Sequence, residues 1–169
     1  MIKHKRLTAL LIALLIAAPI ITLATGTNAA QPDNCDAAPY TDDDAAIIAR
    51  LLWGECRGVE SKTERAACAW VVLNRVDADG YSDSISAVVT ARKQFTGYVA
   101  SHPVDDELLD LAYDVLNRWA LERIGKTDVG RVIPADYCFF SGRGGRNWFR
   151  QEYKSKEYWD WSLESPYED

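Results

Sequence analysis

The stretch "LLWGECRGVES", Leu51–Ser61, decides how the chain folds, because it ends one helix and begins another. Apolar residues within "IIARLL", residues 47–52, recur at helical spacing. Gly58 then supplies the residue type that ends helices in the left-handed conformation. Continuing the apolar stripe by three or four residues reaches Glu55. The spacing therefore predicts a carboxylate on the core-facing side of the last helical turn.

Capping residues and apolar spacing predict four helices in a single domain, which suits a chain of 169 residues. The first begins after Thr41 as its N-cap and runs to about Arg57. The second opens with a capping box of Ser61 and Glu64 and is apolar nearly all round, which is typical of a buried helix. The third ends near Gln94 and Phe95, and the fourth covers about Asp105 to Ile124. β-prone residues at 137–140 precede a loop of glycine and arginine, so the fold class is α+β, mainly helical, with a small β element.

The first 30 residues have the sequence features of an export signal. Three positive residues precede an uncharged apolar block, residues 7–24, and small residues follow it. We interpret residues 1–30 as a signal peptide, or as an N-terminal membrane anchor, because the block approaches the roughly 17 residues that span a bilayer. Residues 31–43 are the predicted linker, and residues 44–165 are the predicted domain.

The charge of the exported part disfavours nucleic acid as a partner. The leader contains three of the 19 basic residues and none of the 25 acidic ones, so 16 basic residues face 25 acidic ones and the net charge is −9. His102 is the single histidine after the leader, and the sequence has no CxxC pair. We therefore expect no metal or other cofactor, and we expect a monomer.

The exported part contains all four cysteines, in a compartment that permits disulfides. They are Cys35, Cys56, Cys68 and Cys138. Two disulfides are predicted, in any of three pairings that the sequence does not rank.

The environment predicted for Glu55 suits acid catalysis. Desolvation and the negative end of the helix dipole would both raise the pKa of this carboxyl group. A carboxylic acid that keeps its proton near neutral pH can protonate a glycosidic oxygen. The alternative is a buried ion pair with Arg57 or Arg75, which would lower the pKa. The pattern alone leaves both open.

A longer segment, residues 47–76, resembles the cell wall hydrolase family typified by the spore cortex-lytic enzymes. The family motif reads glutamate, alanine, arginine, glycine, and then an apolar helix that ends in leucine, asparagine and arginine. The matching residues are Glu55, Arg57, Gly58, Leu73, Asn74 and Arg75, and a later glutamine and phenylalanine match Gln94 and Phe95. The likeness covers about residues 47–140. It departs at Cys56, at Val59, and at the C-terminal "YKSKEYWDWSLES", where the family's histidine and aromatic signature is not recognisable.

The resemblance implies a lysozyme-like domain that cleaves the glycan strands of peptidoglycan, with Glu55 as the catalytic acid. Hydrolysis would normally require a second carboxylate. Glu60, Glu64 and Asp77 are available, but none has a position that the sequence forces. A lytic transglycosylase avoids the requirement, because a hydroxyl of the sugar attacks in place of water. The sequence therefore favours that mechanism over hydrolysis.

The resemblance and the aromatic content predict the residues that bind the substrate. They are Arg57, Gln94, Phe95, Tyr137 and Trp148, and Trp53 is a further candidate for the groove. Trp70 and Trp119 are assigned to the core, and Trp159 and Trp161 are left open. Arg143, Arg146 and Arg150 would contact the carboxylates of stem peptides or would form a solvated loop.

Two other functions fit the same export route. A cysteine peptidase would use Cys56 and His102, but Cys56 lies at a helix C-terminus, which raises the pKa of a thiol and weakens it as a nucleophile. A non-catalytic wall-binding protein would use Glu55 only structurally.

Overall fold

The computed structural model describes residues 38–168, so the predicted leader lies outside the described residues. The architecture is mixed and mainly helical, which confirms the α+β fold class. The elements in chain order are α1 (Asp42–Glu55), α2 (Lys62–Asp77), α3 (Ile85–Thr90), α4 (Asp106–Arg123), β1 (Phe139–Arg143) and β2 (Arg146–Arg150). The two strands form an antiparallel hairpin. No helix in this part of the chain is both long enough and apolar enough to span a membrane.

Helix α1 begins as predicted and ends earlier. The Thr41 side chain accepts a hydrogen bond from the Asp44 N–H, and the Asp44 carboxylate accepts one from the Thr41 N–H. At the other end, Cys56 is the C-cap with φ −107° and ψ 21°, so the chain has left the helix two residues before Arg57. The left-handed residue is Gly58, with φ 82°, and it follows the helix after a short turn. Glu55 is thus the last helical residue.

Helix α2 is the central strut of the domain. Every residue from Ala66 to Arg75 is buried, as the nearly uniform apolar pattern predicts. The helix contacts α1, α3, α4 and β1. Trp70 is completely buried, and the Arg131 guanidinium lies 4.2 Å from its ring centroid. Trp119 is also buried, so both tryptophans assigned to the core lie there.

Helix α3 is shorter than predicted. It ends at Thr90, because Ala91 is extended with ψ 136° and Lys93 adopts a positive φ of 65°. Gln94 and Phe95 therefore lie in a turn after the helix. Helix α4 matches its prediction closely, with Asp105 as the N-cap.

Asn74 fixes the loop that leads into β1. Its side-chain Nδ2 donates to the carbonyl oxygens of Pro134 and Tyr137, each at 2.9 Å. Its Oδ1 accepts from Arg131 Nη1 at 2.8 Å. Asn74 is only 1% exposed. Its buried amide therefore holds the loop on α2 through side-chain hydrogen bonds.

The predicted disulfides are not formed among the three described cysteines, which are free thiols. Cys35 lies outside the described residues. The amide Nδ2 of Asn147 lies 3.3 Å from Cys68 Sγ and 3.8 Å from Cys56 Sγ, so both thiols face the same side chain. Burial, together with the Cys56 thiol, holds the pKa of Cys68 well above its usual value. These two cysteines are core residues in the structure.

The role of Asn74 predicts a large effect of its removal. Asn74→Ala removes the amide donor of two carbonyl oxygens and one acceptor of Arg131, which keeps its ion pair with Glu122. We expect the free energy of unfolding to fall by about 2 to 4 kcal/mol. Urea unfolding measures this change. Asn117→Ala is the matched control, because Asn117 is exposed on α4 and accepts one hydrogen bond from Tyr40. The free energy of unfolding of Asn117→Ala should fall by less than about 1 kcal/mol. Equal losses in the two variants would contradict the assignment.

Candidate functional site

A groove of about 390 Å³ opens where the end of α1, the last turns of α2, the segment after α3, and β1 meet. We call it the Glu55 groove. Its lining residues are Glu55, Arg75, Gln94, Phe95, Thr96, Phe140, Ser141 and Gly142. A larger cavity of about 870 Å³ lies at the hairpin tip, between the α1–α2 turn and the C-terminal segment. We assign the candidate site to the Glu55 groove because three of the residues predicted for the site, Glu55, Gln94 and Phe95, line it.

Two glycines position the Glu55 carboxylate. Its Oε1 accepts a hydrogen bond from the Gly97 N–H at 2.7 Å. The backbones at Gly54 and Gly97 lie so close that a Cβ on Gly54 would be 1.8 Å from the Gly97 carbonyl oxygen. A Cβ on Gly97 would be 3.0 Å from Glu55 Cδ. The half-buried carboxylate therefore has one oxygen fixed by the loop, and Oε2 has no hydrogen-bond partner within residues 38–168.

Arg75 joins three walls of the groove. Its Nε donates to the Cys138 carbonyl oxygen at 2.7 Å, and its Nη1 donates to Gln94 Oε1 at 2.8 Å. The guanidinium also lies 4.6 Å from the Phe95 ring centroid. Burial lowers the pKa of Arg75, yet a guanidinium stays protonated at any pH at which proteins function. The groove therefore contains a fixed positive charge.

The ion pair considered as an alternative role for Glu55 is not formed. The ion pairs among the described residues join other side chains. Arg75 is turned toward Cys138 and Gln94. Arg57 is exposed and lines a separate cavity together with Trp53.

The candidate second carboxylates lie elsewhere. Glu64 is buried and accepts a hydrogen bond from the Asn147 N–H. Asp77 accepts from Trp119 Nε1 at 2.6 Å and pairs with Arg123 at 2.7 Å. Glu60 is exposed and lines the larger cavity. Among the described residues that line the Glu55 groove, Glu55 is thus the single carboxylate.

Three of the residues predicted for the site come together in the groove, and three do not. Glu55, Gln94 and Phe95 line it, whereas Arg57, Tyr137 and Trp148 lie outside its lining. Tyr137 packs edge-on against Trp159 at a centroid distance of 5.3 Å. Trp148 pairs with Ser141 across the hairpin and is exposed. Substrate binding by these three residues stays a prediction.

Sequence reasoning missed several residues of the groove. Thr96, Ser141 and Gly142 line it, and Gly97 supplies the N–H that holds Glu55. None of the four has a spacing signal. Arg75 does have a sequence signal, because it ends the leucine, asparagine, arginine triplet. The pattern does not distinguish an ion pair with Glu55 from a place in the groove.

The cysteine and histidine of the peptidase alternative do not form a dyad. Cys56 is 4% exposed and lies against the Asn147 amide. His102 Nδ1 lies 3.4 Å from the Arg50 carbonyl oxygen. No hydrogen bond joins the two side chains in the described part of the chain. Within the same residues, no three His, Cys, Asp or Glu side chains converge as a metal site would require.

Comparison with known proteins adds a family match over most of the described residues. The model of the cell wall hydrolase family matches residues 59–166, a segment that begins just beyond Glu55. A spore cortex-lytic enzyme of Oceanobacillus iheyensis is 30% identical over 84 residues, which is 47% of this chain and 30% of that protein. A spore cortex-lytic enzyme of Halalkalibacterium halodurans is 36% identical over 59 residues, which is 35% of this chain and 18% of that protein. The chain thus spans less than a third of either relative. No solved structure matches it.

The close approach of Gly54 and Gly97 generates a testable prediction. Gly54→Ala improves helix propensity by about 1 kcal/mol, but its methyl group would strike a carbonyl oxygen. We expect a net loss of more than about 2 kcal/mol in the free energy of unfolding, with a shifted Gly97 amide signal in NMR spectra.

Gly80→Ala is the matched control for this prediction. Gly80 has φ 88° and has nothing within 4 Å of its Cβ position, so the variant suffers backbone strain alone. We expect a loss of about 1 to 2 kcal/mol and an unchanged Gly97 signal. An unshifted Gly97 signal in Gly54→Ala would contradict the close contact.

Proposed function

Since the chain belongs to the cell wall hydrolase family, we propose that it cleaves the glycan strands of peptidoglycan with Glu55 as the general acid and base. One observation carries the proposal. The Glu55 carboxylate lines an open groove and has one oxygen held by the Gly97 N–H, which leaves the other free to act on a bound substrate. A general acid must be within hydrogen-bond reach of the atom that it protonates, and a groove wall provides that reach.

We propose a lytic transglycosylase reaction. Glu55 donates its proton to the oxygen between N-acetylmuramic acid and N-acetylglucosamine, and the glycosidic bond breaks. The carboxylate then takes the proton of the muramic 6-hydroxyl as that oxygen bonds to the anomeric carbon, which gives a 1,6-anhydro ring and restores the acid. The single carboxylate of the groove supports this route, since hydrolysis normally uses two carboxyl groups about 5 to 9.5 Å apart.

The other groove residues would position the sugar. Gln94 Oε1 is occupied by Arg75, so its amide nitrogen remains available to donate to a hydroxyl or an acetamido carbonyl. Thr96 and Ser141 present exposed hydroxyl groups at the edge. Arg75 itself serves as a positioning residue, because its hydrogen-bonding groups already hold Gln94 and Cys138, the residue before β1.

A lysozyme-like arrangement and action outside the cytoplasm belong to the same proposal. The acid ends a helix, and β1 forms the facing part of the groove. The family acts on the cell wall, and the sequence begins with a predicted signal peptide or membrane anchor. We therefore propose that the protein works in the periplasm, in the cell envelope or outside the cell, with peptidoglycan as its substrate.

The two alternatives receive less support. A cysteine peptidase would need an accessible thiol, and Cys56 is buried without a histidine partner in the described residues. A non-catalytic wall-binding protein would not need a carboxylate held at a groove.

Replacing the proposed acid tests the catalytic role. Glu55→Gln keeps the shape and can still accept the Gly97 hydrogen bond, but it cannot donate a catalytic proton. We expect the clearing of purified sacculi to slow by at least about 10³-fold with an unchanged circular dichroism spectrum. Glu60→Gln is the matched control, because Glu60 is exposed and lies outside the groove. It should clear sacculi at the wild-type rate. Wild-type clearing by Glu55→Gln would overturn the assignment.

The products test the choice of attacking group. If the muramic 6-hydroxyl attacks, mass spectrometry of the released fragments shows 1,6-anhydro ends, which are lighter by one water than the ends that hydrolysis leaves. We expect anhydro ends to predominate. Reducing muramic ends alone would show that water attacks, and would leave Glu55 as the acid of a hydrolase.

A further inference from the structure

The outward face of the hairpin presents side chains that the groove does not use. Along β2, Asn147 and Phe149 point into the protein and are buried, while Arg146 and Trp148 alternate with them and are exposed. We define the hairpin face as Arg146, Trp148, Arg150 and Tyr158, whose ring packs on that of Trp148.

The aromatic part of this face is open to solvent. Trp148 and Tyr158 are each 44% exposed. Their ring centroids lie 5.3 Å apart with the planes inclined by 59°. Exposed aromatic pairs cost free energy in water and mark binding surfaces, and a flat aromatic ring suits the apolar side of a sugar.

The charged part of the face lacks carboxylate partners. The Arg146 guanidinium lies 5.9 Å from the Trp148 ring centroid, and the Arg150 guanidinium lies 5.8 Å from that of Tyr158. Neither arginine is in an ion pair with any described residue. The Nε of Arg150 is buried and has no hydrogen-bond partner in the same part of the chain. Unpaired positive charge is thus gathered on one face of a chain whose net charge is −6.

The hairpin face begins at the edge of the Glu55 groove. Trp148 is the cross-strand partner of Ser141, and Ser141 lines the groove. A glycan strand that leaves the groove over Ser141 would therefore meet Trp148 next.

We propose that the hairpin face binds the peptidoglycan strand beyond the bond that is cleaved, with sugar rings on Trp148 and Tyr158 and the carboxylates of stem peptides at Arg146 and Arg150. This inference rests on the proposed function for the identity of the polymer. Peptidoglycan presents both sugar rings and carboxylates, which complement the aromatic rings and unpaired guanidinium groups of the face. A polyphosphate such as nucleic acid fits less well, because the rest of the acidic protein would repel it.

Binding is measured without cleavage, by cosedimentation of Glu55→Gln protein with insoluble sacculi. Adding Trp148→Ala and Arg146→Ala to this protein should weaken binding about 10-fold, as loss of a central aromatic and a charge contact does at other interfaces. Trp148→Tyr should restore most of the binding that Trp148→Ala loses. The effect of Arg146→Ala should shrink as salt is raised, because exposed charges are screened.

The matched control removes the same kinds of group elsewhere. Ile124→Ala and Lys126→Ala take one exposed apolar side chain and one positive charge from the segment after α4. Together they should leave sacculus binding unchanged. Equal loss in the control, or undiminished binding without Trp148 and Arg146, would overturn the proposal. Equal loss of binding to DNA would show that the face is a general polyanion site, and would overturn it too.

A second readout separates this inference from the catalytic one. In the active enzyme, Trp148→Ala should slow the clearing of sacculi by a larger factor than it slows the cleavage of short soluble glycan fragments, because a short fragment makes fewer contacts beyond the groove. If Glu55→Gln remains active while the binding losses persist, the proposed acid is wrong and the hairpin face stands. If Glu55→Gln is inactive and the binding losses are absent, the hairpin face falls and the proposed acid stands.

Discussion

The buried guanidinium of Arg75 is the interaction on which the groove depends. It is carried by α2, which is enclosed on most sides, and it reaches the turn after α3 and the start of the hairpin. Among the described residues, no helix or sheet contains both the turn after α3 and Cys138. A guanidinium suits this position, because it offers several N–H donors in a fixed plane and can stack on a ring such as Phe95 at the same time. The neighbouring Asn74 fixes the preceding loop in the same way. The consecutive polar side chains of Asn74 and Arg75 thus hold these segments by hydrogen bonds.

The carboxylate of Glu55 is positioned in a different way, by two glycines that have no side chain. Glycine at positions 54 and 97 lets a loop backbone approach the end of α1 closely enough for its N–H to hold one carboxylate oxygen. The helix end, the loop and the arginine-bound segments then surround one acid and no second one in the lining of the groove. A reaction in which the substrate supplies its own nucleophile fits this arrangement better than one in which a second carboxylate activates water.

Much of the fold follows from local sequence signals, and the errors have physical causes. Thr41, Ser61 and Asp105 mark helix starts through side-chain hydrogen bonds that span only three residues, so they can be read from the sequence. Helix ends were less accurate, because the left-handed glycine after α1 lies beyond a turn and because α3 stops without a glycine. The lining of the groove was predictable at Glu55, Gln94 and Phe95. Gly97 and Ser141 were not, since only tertiary contacts bring them to the groove. The disulfides were predicted from compartment and cysteine number, and neither reveals that an amide lies against two of the thiols.

The paired backbones at Gly54 and Gly97 restrict how this sequence can change over generations. A substitution at either position places a new atom against the carbonyl oxygen of the other. A change at one glycine therefore does not make a change at the other more tolerable. Most surface positions can drift one step at a time, but these two offer no neutral first step. Variation in descendants of this chain should therefore gather around the pair and leave the pair itself untouched.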